Sequence, residues 1–443
     1  MRKVRFFCLL SLLLCHPFSS RALERQPGID YHARREALAR RIAGPVVYFA
    51  PLEARDSVYE FRQDDSFYYL SGMTVPGAAL LVAPAAEAQG DTPAREYTEI
   101  LFLPARNLRR EQYTGPQLGG DDPAAPRITG FDHVEEMVHL PAELVKVLAG
   151  PRPTVYTDVS DAGEPTGSTR ALEFLQRTNT FTSFQDLKPV LSSLRTVKDA
   201  GEIALIRKAV DASAAAHLAA MKAVKPNLME YEISALMQYE WGRRGCERPS
   251  YAPIVGSGHN STVLHYADNR NPMKAGDVVV IDAAAEYSMY AADITRTLPV
   301  SGHFTARQRE IYDIVLGAQQ AAMAAFQSGK SMLIGSSDSS LDQVARDYIK
   351  SHGKDHHGQS LDKYYIHKLG HYIGLNVHDA GDYSIPLAPG MAFTIEPGIY
   401  IPEENIGVRI EDDFLVDQDG KLIKLSAAAP STADEVEKAM AGK

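Results

Sequence analysis

Four carboxylates and one histidine in the last third of the chain stand where ionisable groups are costly, within or at the ends of apolar, strand-like runs. In AGDVVVIDAAAEYSMYAADITRTLPV, the β-branched run from Val278 to Ile281 delivers Asp282. Asp293 follows after a second strand-like stretch around Tyr290 and Ala291. A hairpin turning at Tyr287 and Ser288 sets Asp282 opposite Asp293, with both carboxylates on one face. His371 lies in YYIHKLGHYIGLNVHD between His367 and His378; Glu396 ends the apolar run of PGMAFTIEPGIYI, and Glu411 interrupts IGVRIEDDFLV. A carboxylate inside an apolar strand needs a partner or a cation. Salt bridges to Arg296 and Arg409 would account for any one of these acids, but the whole set fits two divalent ions better. Oxygen donors with a single imidazole favour Mn²⁺, Fe²⁺ or Co²⁺ over a thiolate-type zinc site. Two such ions about 3.5–4 Å apart would clamp a hydroxide and polarise a carbonyl, which is metal-assisted hydrolysis.

The order Asp282, Asp293, His371, Glu396, Glu411 resembles that of the pita-bread metallopeptidases, most closely the aminopeptidase P (Xaa-Pro aminopeptidase) family. YAADITRTLPVSGHFTARQREIYDIVL, HKLGHYIGLNVHD, PGMAFTIEPGIYI and GVRIEDD carry the match. FRQDDSFYYLSGM and YAPIVGSGHNSTVLHYADN extend it upstream, so that it runs from Tyr31 to the strand after Glu411. The resemblance implies an α+β chain, a C-terminal pita-bread metallopeptidase domain preceded by a smaller α/β domain of the creatinase/prolidase-like type. It implies two divalent ions, Mn²⁺ first, with Co²⁺, Fe²⁺ or Zn²⁺ as alternatives. Asp282 would hold one ion, His371 and Glu396 the other, with Asp293 and Glu411 bridging. Glu396 would also accept the proton of the attacking water. His378 would stabilise the oxyanion, and His265 would orient the peptide around a proline whose nitrogen has no hydrogen to donate. His367 is expected to support the pocket, and Tyr400 and Arg409 to hold the ligating carboxylates. Tyr113 falls where relatives often carry a tryptophan near the substrate entrance, with a plain loop aromatic as the equal alternative.

The implied activity is release of the N-terminal residue from Xaa-Pro-Yaa peptides, with a homo-oligomer, dimer or tetramer, as the expected assembly. An Xaa-Pro dipeptidase is the alternative reading, and a metal-free peptide-binding protein on the same fold is a more remote one. A dipeptidase must recognise the carboxylate that follows proline, and a positive side chain is its natural partner. From Val377 to Val408 there is no Lys or Arg, which favours the aminopeptidase. Ala284 and Asn376 depart from the family pattern, where glycine and aspartate are usual. The loops Asp379 to Pro389 and Ile401 to Asn405 are shorter than in many relatives.

These residues need elements to carry them. Residues 1–22 have a basic start (Arg2, Lys3, Arg5), the apolar core FFCLLSLLLC and small residues from Ser19 to Ala22, the pattern of a secretory signal peptide. A periplasmic or extracellular destination follows, with no stable membrane insertion after cleavage. Of three cysteines, Cys8 and Cys15 lie in that segment and Cys246 is alone, so no intrachain disulfide is expected in the mature chain. A net charge of −10 without a basic cluster argues against a nucleic-acid partner. The chain divides into residues 26–191, the N-terminal aminopeptidase-P-like domain, and residues 195–443, the catalytic domain. In the first, Tyr31 to Arg41 and Val134 to Leu148 read as helices. Val46 to Ala50, Ser66 to Ser71, Ala78 to Ala83 and Ile100 to Leu103 read as strands, and Pro84 to Arg95 and Gly115 to Gly130 as loops. In the second, Asp199 to Lys222, Met229 to Arg244, Glu310 to Gln327 and Leu341 to Ser351 read as helices. His352, His356 and His357 belong to a solvated loop. N-terminal sequencing of protein from its native host is expected to start between residues 20 and 26; an intact Met1 would contradict export.

Overall fold

The computed structural model of the chain describes residues 23–53, 60–88, 94–148, 153–159, 167–335, 337 and 339–442. The expected signal segment, and residues 89–93 of the tract Pro84 to Arg95, lie outside them.

The N-terminal half is built on a six-stranded sheet. Its strands are β1 (Val46–Phe49), β2 (Ala79–Ala83), β3 (Thr98–Leu103), β4 (His133–Glu136), β5 (Thr154–Thr157) and β6 (Ser183–Asp186), in the order β4-β3-β2-β1-β5-β6. The central strands are antiparallel, while β4, β5 and β6 join in parallel. Helix α1 (Gly28–Ala39) covers one face, near its expected place. Ser66 to Ser71 corrects the reading: it is helix α2 (Asp65–Ser71), not a strand. The aromatic run suits either state, and the ends decide. The Asp64 carboxylate accepts the Phe67 N–H at 2.8 Å, and Gly72, at φ 63°, closes the last turn with its N–H on Tyr68 O at 2.7 Å. The expected helix Val134 to Leu148 is also corrected. Its start is β4, paired with β3, and only Leu140–Val147 is α-helical, with Pro141 in the first turn. The loop Gly115 to Gly130 contains a short helix, Ala125–Thr129.

The C-terminal half places long helices outside short, interlocked sheets, the α+β arrangement expected. Helices α3 (Ala200–Ala223), α4 (Glu230–Gly242), α5 (Ala306–Ala325) and α6 (Leu341–Ser351) match the expected segments; α5 starts earlier because Thr305 and Gln308 form a capping box. Strands β7 (Ile254–Ser257), β8 (Val278–Asp282) and β11 (Thr295–Pro299) form one sheet, and β9 (Ala285–Tyr287) and β10 (Tyr290–Ala291) continue its hairpin. Strands β12 (Ala392–Ile395), β13 (Gly398–Ile401), β14 (Ile406–Arg409) and β15 (Asp412–Val416) supply two further pairs, β12 with β15 and β13 with β14. One apolar cluster spans both halves, packing Phe67, Tyr68 and Leu70 with Ile206, Tyr290 and Ile373.

Helix α3 does more than cover the sheet. Its fully buried Ser213 accepts the Ala285 N–H at 2.9 Å. One turn later, buried His217 lies with Nε2 3.0 Å from Ala283 O and 2.9 Å from Ile294 O. Both partners are acceptors, so Nε2 carries the proton and the ring is neutral. The hairpin bends here, and His217 satisfies carbonyls beside Asp282 and Asp293. Burial, with Arg296 nearby, holds this imidazole down from its ordinary 6.5 to about 4. With the folded value below the unfolded one, the stabilisation is complete above 6.5 and is lost as pH falls toward about 4. A shift of that size amounts to about 3 kcal/mol in full. His217→Gln, which keeps a donor but does not titrate, is therefore expected to lose less unfolding free energy than the wild type between about pH 7.5 and about pH 4.5. Equal losses in denaturant titrations would contradict it.

Candidate metal centre

The hairpin that carries both aspartates turns one residue later than expected. Tyr287 pairs with Tyr290, so Ser288 and Met289 are the central residues, at φ 50° and 75°. Positive φ at both marks the tight turn type suited to twisted hairpins, normally announced by Asn or Gly. Here Ser288 Oγ accepts the Glu24 N–H at 2.7 Å and the Met289 N–H donates to Glu247 at 2.9 Å, contacts no local pattern reveals. The shift changes the sum of paired numbers by two, so Asp282 faces Thr295 and Asp293 is its diagonal neighbour. Side chains alternate with period two, so both carboxylates still share one face.

The other ligand candidates arrive on adjoining segments. The His371 N–H donates to Thr394 Oγ1 and the Thr394 N–H to His371 O, at 3.1 and 2.8 Å, which lays the histidine segment against β12. Gly370 permits this approach, since a Cβ there would sit 2.1 Å from Thr394 O. Glu396 is tied back by its N–H to Leu369 O, and Glu411 by its N–H to Thr295 O. Ligand atoms of Asp293, His371 and Glu411 all lie within 4.8 Å of one another. His371 Nε2 is 3.4 Å from Asp293 and 3.3 Å from Glu396. Its Nδ1 lies 3.2 Å from Tyr372 O, which holds a hydrogen on Nδ1 and makes Nε2 the nitrogen that would offer a lone pair to a cation once its own proton is displaced.

Electrostatically the cluster is unfinished. Glu411 Oε1 is buried without a hydrogen-bond partner. The Tyr251 hydroxyl is 2.6 Å from both Asp282 and Asp293, with one proton to share between two carboxylates. Burial, then the Asp282 charge, raises Asp293; burial and the other acids raise Glu411 well above the carboxylate range and Glu396 to about 7. Burial lowers His371, but Asp293 and Glu396 outweigh it and bring it to about 9. A group of hard oxygen donors, one lone pair of imidazole and an orphaned carboxylate oxygen fits divalent cations.

A chain of hydrogen bonds braces the site. Arg409 donates to Asp282 Oδ2 at 2.5 Å, to Thr295 Oγ1 at 3.2 Å and to the Tyr400 hydroxyl at 2.9 Å. Tyr400 in turn meets His367 Nε2 at 2.9 Å, while His367 Nδ1 faces Lys368 O. Burial, then Arg409, holds His367 at about 4, in the neutral form that can accept from Tyr400. Thr295 donates to Glu411 Oε2 at 2.6 Å, and Asp413 accepts the Asp293 N–H. Tyr251, Thr295 and Asp413 were not singled out in the sequence, although each lies in a motif quoted above.

Above the acids is a cavity of about 620 Å³ lined by Tyr251, His265, His367, Lys368, His378 and Tyr383, with Asp282, Asp293, His371, Glu396 and Glu411 among its walls. All five ligand candidates and all three expected pocket histidines thus line one space. His378 packs edge-on against His371, ring centroids 4.3 Å apart, and burial followed by His371 and His265 lowers it. His265 lies in a loop and not at a strand end. Tyr113, on the exposed helix Leu108–Thr114, does not line this cavity. His352, His356 and His357 are exposed, as expected. Asn376 meets Asp65 through its amide at 3.1 Å, a contact an aspartate there would turn into repulsion.

Comparison with known proteins agrees with this geometry. The model of metallopeptidase family M24 matches residues 204–418, and that of the aminopeptidase P N-terminal domain matches residues 31–156. The Xaa-Pro aminopeptidase of Haemophilus influenzae is 35% identical over 89% of this chain and 93% of its own. Among solved structures, proline aminopeptidase P II from Yersinia pestis superposes with a TM-score of 0.81 at 30% identity, covering 94% of this chain and 100% of that one. A zinc-substituted Escherichia coli aminopeptidase P in complex with product gives 0.81 at 30% identity, over 95% and 99%. Elemental analysis of metal-reconstituted wild type is expected to find about two divalent ions per chain, and Asp293→Asn fewer. Metal should raise the melting temperature of the wild type well beyond that of the variant. Equal binding by both would contradict the assignment.

Proposed function

The chain belongs to metallopeptidase family M24 and carries an aminopeptidase P N-terminal domain, and from that premise we propose how its own residues release the N-terminal residue from peptides with proline in second position. The observation that carries the proposal is the convergence of Asp282, Asp293, His371, Glu396 and Glu411 at one cavity whose walls include His265 and His378. Asp282, Asp293, His371, Glu396 and Glu411 would together hold the divalent ions. When bound, the ions supply Lewis-acid polarisation and a nucleophilic water at neutral pH. Glu396 would accept a proton from the attacking water, and His378 would donate to the oxygen that gains charge on the scissile carbonyl. His265 orients the substrate around the proline ring. Arg409, through Asp282 and Tyr400, and Tyr251, through Asp282 and Asp293, keep the ligands aimed.

Mn²⁺ is proposed as the resident ion, because four carboxylates outnumber one imidazole; Co²⁺, Fe²⁺ and Zn²⁺ suit the donors less selectively. Export is proposed on the basic, apolar and small-residue succession of residues 1–22. Among the described residues, no helix is long and apolar enough to cross a membrane. A homo-oligomer is proposed as the working assembly, to be checked by light scattering; a monomer at working concentration would contradict it.

Chain-length preference follows from the cations. Among the described cavity residues only Lys368 and Arg409 are permanently positive. Arg409 is committed to Asp282, Tyr400 and Thr295, and exposed Lys368 turns toward Asp342 at 3.7 Å. Neither clamps a carboxylate next to proline, so the leaving-group side accepts a continuing chain. Initial rates on peptides sharing one Xaa-Pro start are expected to be high for the tripeptide and pentapeptide and poor for the dipeptide. Strong cleavage of the dipeptide alone would make the protein a dipeptidase.

A further inference from the structure

His378 sits on a stretch without regular structure, between the histidine segment and β12, and Asn376 and His378 are themselves exposed. Something other than local backbone must hold it. Both ends of Leu375–Asp379 are tied to cations. Leu375 O accepts from Arg62 Nη2 at 2.6 Å. The buried Asp379 carboxylate accepts from Lys198 Nζ at 2.8 Å and from Arg195. Between these ties, Asn376 Oδ1 accepts the His378 N–H at 3.1 Å, closing a small side-chain turn over the residue before His378.

All three ties meet at one carboxylate of the N-terminal half. Asp65, in the first turn of α2, accepts from Arg62 Nη1 at 2.7 Å, from Asn376 Nδ2 at 3.1 Å and from Arg195 Nη2 at 3.5 Å. Two of the remaining guanidinium nitrogens are also taken, while Arg195 Nε is buried without a partner. Arg62 Nε donates to Glu286 at 2.9 Å, and Arg195 Nη1 to Ser66 at 3.0 Å. The cations Arg62, Arg195 and Lys198 face the acids Asp65, Glu286 and Asp379, with Arg248 a further cation 3.6 Å from Glu286. Asn376 joins this network as a neutral amide, with its NH₂ toward Asp65 and its oxygen toward the His378 N–H. That orientation is dictated, since the reverse would set an oxygen against a carboxylate and a hydrogen against a hydrogen.

We propose that Asp65 of the N-terminal half is a positioning residue for catalysis: through Arg62, Asn376 and Arg195 it sets the loop Leu375–Asp379 and hence the place of His378. The proposal rests on the reading that His378 serves the scissile carbonyl. It makes the N-terminal half part of the catalytic geometry of its own chain. An aspartate at 376 would set a negative charge against Asp65, in place of the amide that donates to it. The His378 N–H could still be accepted, but the amide's donation to Asp65 would become repulsion.

The test is a double-mutant cycle on an Xaa-Pro-Yaa tripeptide, with bound metal and melting temperature measured for every variant. Asn376→Asp is expected to lower kcat by roughly tenfold or more with KM little changed. In a His378→Ala background the same change is expected to have no further effect. Exchanging the groups, Asp65→Asn with Asn376→Asp, restores one amide facing one carboxylate and is expected to recover most of the lost kcat. If Asn376→Asp loses metal or melts early, this exchange alone carries the test. Recovery supports the proposal and no recovery overturns it. If His378→Ala leaves kcat intact, the reading of His378 fails. If His378→Ala lowers kcat and Asn376→Asp then lowers it again by the same factor, that reading stands and the positioning role of Asp65 is overturned.

Discussion

Everything in the C-terminal half depends on the repulsion among Asp282, Asp293, Glu396 and Glu411, carboxylates gathered beside a single imidazole and largely removed from water. Like charges so close do not ionise together without counter-charge. The chain supplies only part of it. Arg409 is in direct contact with Asp282, and Tyr251 offers one proton to two acids, while Arg296, which might have served, is spent on Asp412. What remains is a fixed deficit of positive charge, and divalent cations answer it.

Such a deficit is tolerable only on a rigid frame, since mobile strands would splay to relieve it. The frame is assembled from groups remote in sequence. His217 fastens the two carbonyls beside the aspartates. Arg296 lies fully buried and binds Thr295 O, Glu411 O and Asp412, tying β11 to the strand junction beyond Glu411. Thr297 exchanges hydrogen bonds with the Arg409 backbone in both directions. Each of these closes a bend where a regular ladder would have left backbone groups unpaired. The same bends let four segments aim ligands at one point.

The candidate ligands stood out in the sequence because a lone acid in a β-branched run has few reasons to be there. The histidines could be read only through their motifs. Of the supporting groups, His367, Tyr400 and Arg409 were reached through the resemblance, but His217, Tyr251 and Asp65 could not be read at all. His217 is one residue of an Ala-rich helix, Tyr251 is an uncharged loop residue, and Asp65 is one of two adjacent aspartates before an aromatic run, so their roles exist only once distant segments meet. Two of the local readings that failed did so for related reasons. The run from Ser66 to Ser71 has strand-like composition, but Asp64 and Gly72 cap a helix around it. The turn at Ser288 and Met289 has no glycine, and its conformation is held by Glu24 and Glu247. Parity rescued the functional conclusion there, since a shift of two residues leaves both aspartates on the same face.

The central claim is that these five side chains form a two-ion centre, and the most direct test is to see the ions. Crystals grown with Mn²⁺ and measured at the manganese absorption edge should show two anomalous peaks about 3.5–4 Å apart. Both should lie among Asp282, Asp293, His371, Glu396 and Glu411. An empty cluster at saturating metal, or peaks only at the exposed histidines near His356, would contradict it.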